Sequence, residues 1–212
     1  MRGMAHDKSN SRYLVYALTA IVAVAIGAWS ATYMFRPQEP PTLQNGTVLP
    51  QPRALPEFSL LDHRGLPFDN ARLIGHWTLL FFGFANCADV CPTTLATITT
   101  AIDNLKDAAT IPVPVFVSVD TGRDTSDILA KYVAAFSQDM IGVTGKQTDV
   151  DALTKALGVP SAIRPLDGGG YAVEHSAAIL VINPSGQLQA IFHAPHSAPV
   201  LAADLRRLVD AY

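Results

Sequence analysis

The two cysteines of the chain lie four residues apart in the segment NCADVCPTTL, residues 86–95. Because Cys87 and Cys91 are so close, and Pro92 follows the second, they could do three kinds of chemistry. They could form a structural disulfide, exchange electrons as a redox pair, or bind a metal ion as two ligands of a larger set. A disulfide that closes so short a loop restricts the unfolded chain little, so the structural role is the weakest of the three.

A buried strand and a helix are predicted on either side of the cysteines. Residues 77–84, WTLLFFGF, form a nearly continuous apolar run that is typical of a strand buried on both faces. From Pro92 onward, apolar residues recur at helical spacing, at Leu95, Ile98, Ile102 and Leu105. Side chains four residues apart face the same way on a helix, and a helix N-terminus favours thiolate over thiol. The pattern therefore predicts two sulfurs aimed at one point, suited to disulfide exchange or to a soft metal ion.

The elements after this helix predict the class of fold. They are a strand at 113–119, a helix at 125–136, a strand at 171–182, a returning strand at 187–193 and a helix at 199–211. Strands that alternate with helices, and then a hairpin and a final helix, indicate an α/β fold with a mixed central sheet.

An apolar segment near the N-terminus, residues 13–35, runs for 23 residues without a charge. A helix of about 20 residues crosses a bilayer core, whereas the apolar core of a cleaved signal peptide has about 7–15 residues. The segment therefore predicts an uncleaved transmembrane helix, with cleavage as the open alternative. More basic residues precede the segment than closely follow it. This bias predicts that residues 1–12 are cytoplasmic and that the rest of the chain lies in the periplasm, or in the intermembrane space of a mitochondrion.

Composition divides the remaining chain into a linker and a domain. Residues 36–54 are rich in proline and lack apolar periodicity, which predicts an extended linker before a domain at 55–212. Beyond residue 36 the chain carries 11 basic and 17 acidic residues and no basic run. This charge argues against a nucleic-acid partner.

The residues around the cysteines are similar to those of a known family. FFGFANCADVCPTTL, residues 81–95, resembles the active-site segment of the SCO/SenC family, membrane-anchored thioredoxin-like proteins that handle copper for cytochrome c oxidase assembly. Three further segments match in family order, namely SVDTGRDTSDILAKYVAAF (118–136), GVTG (142–145) and VEHSAAILVINPSGQL (173–188). The resemblance extends over about residues 55–212 and implies a thioredoxin-like fold.

The resemblance also implies a set of site residues. It assigns copper binding to two thiolates and one imidazole, from Cys87, Cys91 and His175. It also places an acidic residue, Asp120, beside the site as a support and not as a ligand. Taken alone, a histidine on a strand is more often an ordinary core or surface residue. The ligand chemistry agrees with the implied set, because thiolates suit soft Cu(I) and an imidazole also serves Cu(II).

The sequence leaves open the roles of a few other residues that could bind a metal or a partner. Asp89, between the cysteines, either recruits a partner or faces solvent. His193 and His196 could form a second metal site, although exposed histidines at a strand end are the favoured interpretation. Ala88 and Thr121 stand where family members often have proline.

Two functions follow from the resemblance. The leading one is a copper chaperone that delivers copper to the dinuclear copper centre of a cytochrome c oxidase subunit, which would not be an enzyme in the turnover sense. The alternative is a thiol-disulfide oxidoreductase in which Cys87 and Cys91 reduce the cysteines of that subunit or of another periplasmic protein. The expected partners are the oxidase subunit and, in addition, other periplasmic copper carriers or thiol reductases. A copper- or redox-responsive signalling role is a more distant third.

Overall fold

The computed structural model describes residues 8–34, 40–108, 110–159, 161–165 and 170–212. The chain divides into two compact units, Met1–Glu39 and Pro40–Tyr212. The first unit contains one long helix, α1 (Lys8–Met34). Within it, Tyr13–Thr32 is the one stretch of the described residues that is long and apolar enough to cross a membrane. Helix α1 contains residues 13–34 of the predicted span, and its crossing of a membrane stays a prediction. Residues 1–7 of the predicted cytoplasmic segment, residue 35 of the span and residues 36–39 of the linker lie outside the described residues.

The second unit combines strands and helices. Its strands are β1 (Gly46–Ala54), β2 (Ser59–Asp62), β3 (Pro67–Asp69), β4 (Thr78–Gly83), β5 (Val113–Ser118), β6 (Ile141–Thr144), β7 (Ala162–Pro165), β8 (Tyr171–Glu174), β9 (Ile179–Ile182) and β10 (Gln187–Phe192). Its helices are α2 (Val90–Asp103), α3 (Ser126–Ala134), α4 (Gln147–Leu157) and α5 (Ala198–Asp210).

Eight of these strands form one mixed sheet in the order β1-β10-β9-β4-β5-β6-β2-β3. At its centre β4 pairs parallel with β5 and antiparallel with β9, and β10 continues antiparallel beside β9. The chain thus runs β4-α2-β5-α3 and later β9-β10-α5, which confirms the predicted thioredoxin-like fold. Strands β7 and β8 form a separate antiparallel pair outside this sheet.

Strand β4 is buried on both faces, as its apolar run predicts. Leu79 and Phe81 pack in one cluster with residues of α2, α3 and α5. Leu80 and Phe82, which point the other way, pack in a second cluster with residues of α4. Because alternate side chains of a strand face opposite sides, the two clusters clamp β4 and fix the position of the chain that leaves its carboxyl end.

The prediction of an extended linker at residues 36–54 is wrong for residues 46–54, which form β1. Strand β1 pairs antiparallel with β10, although the register shifts between Val48 and Arg53, around the prolines at 50 and 52. A strand at the edge of a sheet tolerates proline because one side of its backbone has no partner strand. Proline content therefore indicated an unpaired linker where the chain forms an edge strand.

The single strand predicted at 171–182 is also wrong. Strands β8 and β9 belong to different sheets, and residues 175–178 join them without regular structure. In this segment the Nδ1 atom of His175 lies 2.9 Å from the carbonyl oxygen of Ser176, and the amide of Ala178 donates to the Ser176 hydroxyl at 3.1 Å. Such local bonds between side chain and backbone compete with strand pairing.

Candidate metal centre

The two cysteines lie in the loop from β4 to α2 and in the first turn of that helix. The helix begins at Val90, two residues before the predicted start at Pro92, so Cys91 is helical. Its amide donates to the sulfur of Cys87 at 3.4 Å. Cys91 is fully buried, Cys87 is half-buried, and both are free thiols. The sequence therefore correctly predicted sulfurs gathered at this helix N-terminus.

Gly83, the last residue of β4, makes room for the buried thiol. A Cβ atom at this position would lie 2.8 Å from the sulfur of Cys91 and 2.8 Å from a ring carbon of Phe116. Such contacts are far too short for carbon, so a side chain here would displace the sulfur or the ring. The glycine thus allows the strand to pass directly against the thiol.

His175 brings its imidazole to the same point from the end of β8. Its Nε2 atom lies 3.2 Å from the sulfur of Cys91. One donor atom from each of Cys87, Cys91 and His175 lies within 4.8 Å of the other two. The rings of Phe81 and Phe84 meet the imidazole edge to face, with centroids at 6.0 and 5.7 Å. The structure therefore assembles all three residues that the resemblance implied.

Hydrogen bonds orient the imidazole. The carbonyl oxygen of Ser176 can only accept a hydrogen bond, so the Nδ1 atom of His175 is the donor there. In the neutral ring, Nε2 is then the acceptor, and it faces the thiol of Cys91 at 3.2 Å. His196 Nε2 lies 2.7 Å from the carbonyl oxygen of Ala177, which holds the same segment from the other side. An oriented imidazole of this kind is typical of metal-binding histidines.

The two thiols have opposite electrostatic surroundings. Partial burial raises the pKa of Cys87, but hydrogen bonds from the backbone of Asp89, Cys91 and Val90 outweigh it and hold the pKa below the ordinary value. Deep burial strongly raises the pKa of Cys91, and the charges of Cys87 and Asp124 raise it further. Cys87 is thus the sulfur that ionises readily, whereas Cys91 needs a cation or a reacting partner to become a thiolate.

Asp124 is a buried acid near the thiols that the sequence analysis missed. It accepts hydrogen bonds from the amide of Ala85 at 2.9 Å and from the hydroxyl of Ser118 at 2.6 Å. Burial raises its pKa in spite of these two donors. Its position four residues after Asp120, beyond the end of β5, was the available signal. Asp124 ties the loop that leads to the cysteines to the neighbouring strand.

Asp120 is buried, but it lies outside the three-donor group. One carboxylate oxygen accepts a hydrogen bond from the Tyr171 hydroxyl at 2.7 Å, and the other pairs with Nε of Arg123. Both of its oxygens are thus engaged by neighbours, and its supporting role stays a prediction.

The remaining candidates do not join the site. Asp89 is exposed at the position before α2 and makes no side-chain capping bond. His193 contacts Thr47 at 3.0 Å, and His196 contacts a carbonyl group. Within the part of the chain that the structure describes, only the Cys87, Cys91 and His175 group has the spacing of metal ligands.

The donor set fits a soft metal ion. In metal sites with such ligands, bonds to sulfur and nitrogen are about 2.0–2.3 Å long, so two donors of one ion lie at most roughly 4.6 Å apart. The three donor atoms lie within 4.8 Å of one another, so a small inward movement would bring them to these bond lengths. Two thiolates and one imidazole suit copper or zinc, and a three-donor set leaves a position open for ligand exchange.

Fold and site together define a thioredoxin-like protein with a candidate thiolate–imidazole metal centre. The SCO1/SenC family model matches residues 47–210, and the chain belongs to that family. A protein of Stutzerimonas stutzeri is 34% identical over 167 residues, which cover 78% of this chain and 82% of that protein. The mitochondrial SCO1 homolog of Homo sapiens is 35% identical over 158 residues, which cover 73% of this chain and 52% of that protein.

A solved structure agrees with these sequence matches. Copper-bound ScoI of Arabidopsis thaliana superimposes with a TM-score of 0.71 at 30% sequence identity. The superposition covers 74% of this chain and 99% of that structure. The mitochondrial relative is longer than the matched region, since this chain spans about half of its length.

Proposed function

We propose that this chain is a copper chaperone that binds copper through Cys87, Cys91 and His175. The observation that carries the proposal is the convergence of these three donors, with the acceptor atom Nε2 of His175 directed at the sulfur of Cys91. Copper as the ion is supported by the family and by the copper-bound relative from Arabidopsis thaliana.

Transfer of the ion would proceed by ligand exchange. The half-buried sulfur of Cys87 is the donor that an incoming ligand of the acceptor can reach, whereas Cys91 is enclosed by the fold. Acceptor thiolates or imidazoles would replace the donors of this site in turn, and the copper ion would keep its oxidation state. The acceptor proposed here is the dinuclear copper centre of a cytochrome c oxidase subunit, the recipient that the family implies.

The proposed location is a membrane with the domain on its outer side. Helix α1 supports a membrane anchor, and the bias of basic residues towards the N-terminus supports a cytoplasmic N-terminus. The domain would then occupy the periplasm, or the intermembrane space of a mitochondrion.

The asymmetry of the thiols favours a second candidate function, disulfide reduction. Cys87, accessible and with a lowered pKa, would attack a disulfide of the partner and form a mixed disulfide. The sulfur of Cys91 would then attack the sulfur of Cys87 and break the mixed disulfide. The partner would leave as a dithiol with the two electrons, and Cys87 and Cys91 would remain joined as a disulfide. A second thiol reductant would be needed to restore the pair.

Replacement of His175 with Ala tests the copper site. Cu(I) affinity of the full chain in detergent micelles is measured by competition with a chromophoric chelator. We expect a loss of at least about tenfold, because even residues that only support a metal ligand are worth roughly 10–100-fold in affinity. His193→Ala is the matched control, since this exposed histidine lies outside the donor group.

The same variants separate the two functions when reduction of a protein disulfide is measured in parallel. If His175→Ala loses copper binding but still reduces the disulfide, His175 is required for copper binding and not for disulfide reduction. Unchanged copper affinity in His175→Ala would rule out the three-donor site.

A further inference from the structure

We propose that Tyr171, Asp120 and Arg123 form a latch that holds strand β8 against the domain and thereby positions His175 over the thiols. The inference rests on the proposed function in one respect, namely that His175 binds the ion. It adds a positioning role for Tyr171 and Arg123, which do not touch the ion, and it gives a structural route for release of the third ligand.

His175 directly follows β8. In the described residues this strand is attached by its pairing with β7, by the packing of Val173 against a core cluster, and by side-chain contacts of Tyr171. Strand β8 pairs only with β7, and this pair lies outside the eight-stranded sheet. An ion pair between Arg164 and Glu174, at 3.0 Å, joins β7 to β8, but both side chains are exposed. Because β8 has no backbone pairing with the main sheet, side chains fix where it lies, and Val173 provides the apolar part of that attachment.

Tyr171, at the start of β8, provides the first attachment. Its hydroxyl donates to Asp120 at 2.7 Å, and the side chain of Asp120 is 1% exposed. Asp120 itself is fixed, because its amide donates to the Ser118 hydroxyl at 3.1 Å in the loop that follows β5. The hydrogen bond thus joins β8, which directly precedes His175, to a buried acceptor.

Arg123 provides the second attachment and extends it to the imidazole. Its guanidinium carbon lies 4.0 Å from the ring centroid of Tyr171 and 6.0 Å from that of Phe84, while Nε pairs with Asp120. The ring of Phe84 meets the imidazole of His175 edge to face at 5.7 Å. A continuous series of contacts therefore runs from Asp120 through Arg123 and the two rings to the third donor.

The arrangement divides the metal centre into a fixed part and a releasable part. The cysteines are attached to β4 and α2. His175 lies in an irregular segment that is held by the core packing of Val173 and Ala178 and by the polar and ring contacts of the latch. An acceptor protein that competes for Arg123 or Tyr171 would free the imidazole and leave the sulfurs in place. The ion would then be held by two donors and would be ready for exchange.

The test combines latch variants with loss of the ligand in a double-mutant cycle. Tyr171→Phe removes only the hydroxyl, and Tyr171→Ala removes the ring as well. Each is made alone and together with His175→Ala in the full chain in micelles. Arg164→Gln is the matched control, because it breaks the exposed ion pair between β7 and β8 and leaves the latch intact.

We expect Tyr171→Ala to lower Cu(I) affinity by about tenfold, the effect of losing a residue that supports a ligand, and Tyr171→Phe to lower it less. In the His175→Ala background neither change should have a further effect. Equal losses in both backgrounds would overturn the latch, since the tyrosine would then act independently of His175. Tyr171→Phe keeps the ring, so the cycle stays valid if Tyr171→Ala fails to fold.

A second readout needs no copper. In the copper-free chain, NMR signals of the His175 ring should show a single ordered environment, and Tyr171→Phe should bring averaging or broadening that Arg164→Gln does not. Unchanged ring signals in Tyr171→Phe would contradict the latch even if His175 proved not to bind copper. Unchanged copper affinity in His175→Ala alone would instead contradict the proposed function. The two failures are thus distinguishable.

Discussion

Two identical side chains, Cys87 and Cys91, acquire different chemistry from their surroundings. The backbone amide groups at the start of α2 converge on the sulfur of Cys87, whereas Cys91 is enclosed beside Gly83 and Phe116. A pair in which one sulfur is accessible and acidic and the other is enclosed can receive or release a ligand in a fixed order. The order is set by burial and not by residue type.

The copper-free, reduced chain should therefore be alkylated first at Cys87. The thiolate is the reacting form. Because the pKa of Cys87 is lowered, its alkylation rate should begin to increase at a lower pH than the rate of an ordinary thiol. Cys91 should react slowly throughout, because its pKa is strongly raised and its side chain is buried. The measurement is mass spectrometry of iodoacetamide adducts as a function of pH and time.

The single variants Cys87→Ser and Cys91→Ser assign each rate to one sulfur. Cys87 alone should still be alkylated faster than Cys91 alone. The difference in rate should be smaller than in the unmodified chain, because loss of the neighbouring sulfur removes part of the interaction that separates the two pKa values. Similar rates for both thiols in the unmodified chain would contradict the asymmetry.

At the scale of elements, a buried acid of α5 anchors the chain that leads into β1. Asp204 is fully buried and accepts hydrogen bonds from the amides of Gln44 and Asn45 at 2.8 and 3.0 Å. It also pairs with Arg207 at 2.9 Å. This contact explains how a proline-rich segment becomes part of the sheet.

Asp204→Ala should lower the free energy of unfolding by about 1–3 kcal/mol, the cost of leaving buried donors without an acceptor. Urea unfolding followed by tryptophan fluorescence measures the change. Asp107→Ala is the control, since this exposed acid pairs with Arg206 on the surface and its loss should matter little. Equal effects of the two substitutions would show that Asp204 does not anchor β1.

The central elements could be predicted from the sequence because their signals are local. The apolar run of β4 and the helical spacing of α2 each report burial directly, and the two cysteines lie between them. The pairing of β1 could not be predicted, since it depends on Asp204, some 160 residues away. The break after β8 follows from local bonds around Ser176 that apolar periodicity does not report. The role of Asp124 depends on its contact with Ala85, 39 residues away. His175 was found through family resemblance, because spacing alone cannot select one histidine of six.

At the scale of the whole molecule, helix α1 and the charge bias together predict which side of the membrane holds the site. In bacterial spheroplasts, a membrane-impermeant maleimide should label Cys87 of the reduced, copper-free chain. The control is Ser9→Cys in a Cys87→Ser, Cys91→Ser background, which places a single thiol before the span and should stay unlabelled until the membrane is permeabilised. The opposite pattern would reverse the proposed orientation.

The two prolines of β1 have a consequence for how copies of this protein meet. Strand β1 lies at one edge of the eight-stranded sheet, and its register against β10 shifts across the stretch that holds Pro50 and Pro52, which have no amide hydrogen. Proteins anchored in one membrane encounter each other at high local density and in similar orientations, which favours edge-to-edge pairing. An irregular, proline-bearing edge strand of this kind disfavours edge-to-edge pairing with a second copy.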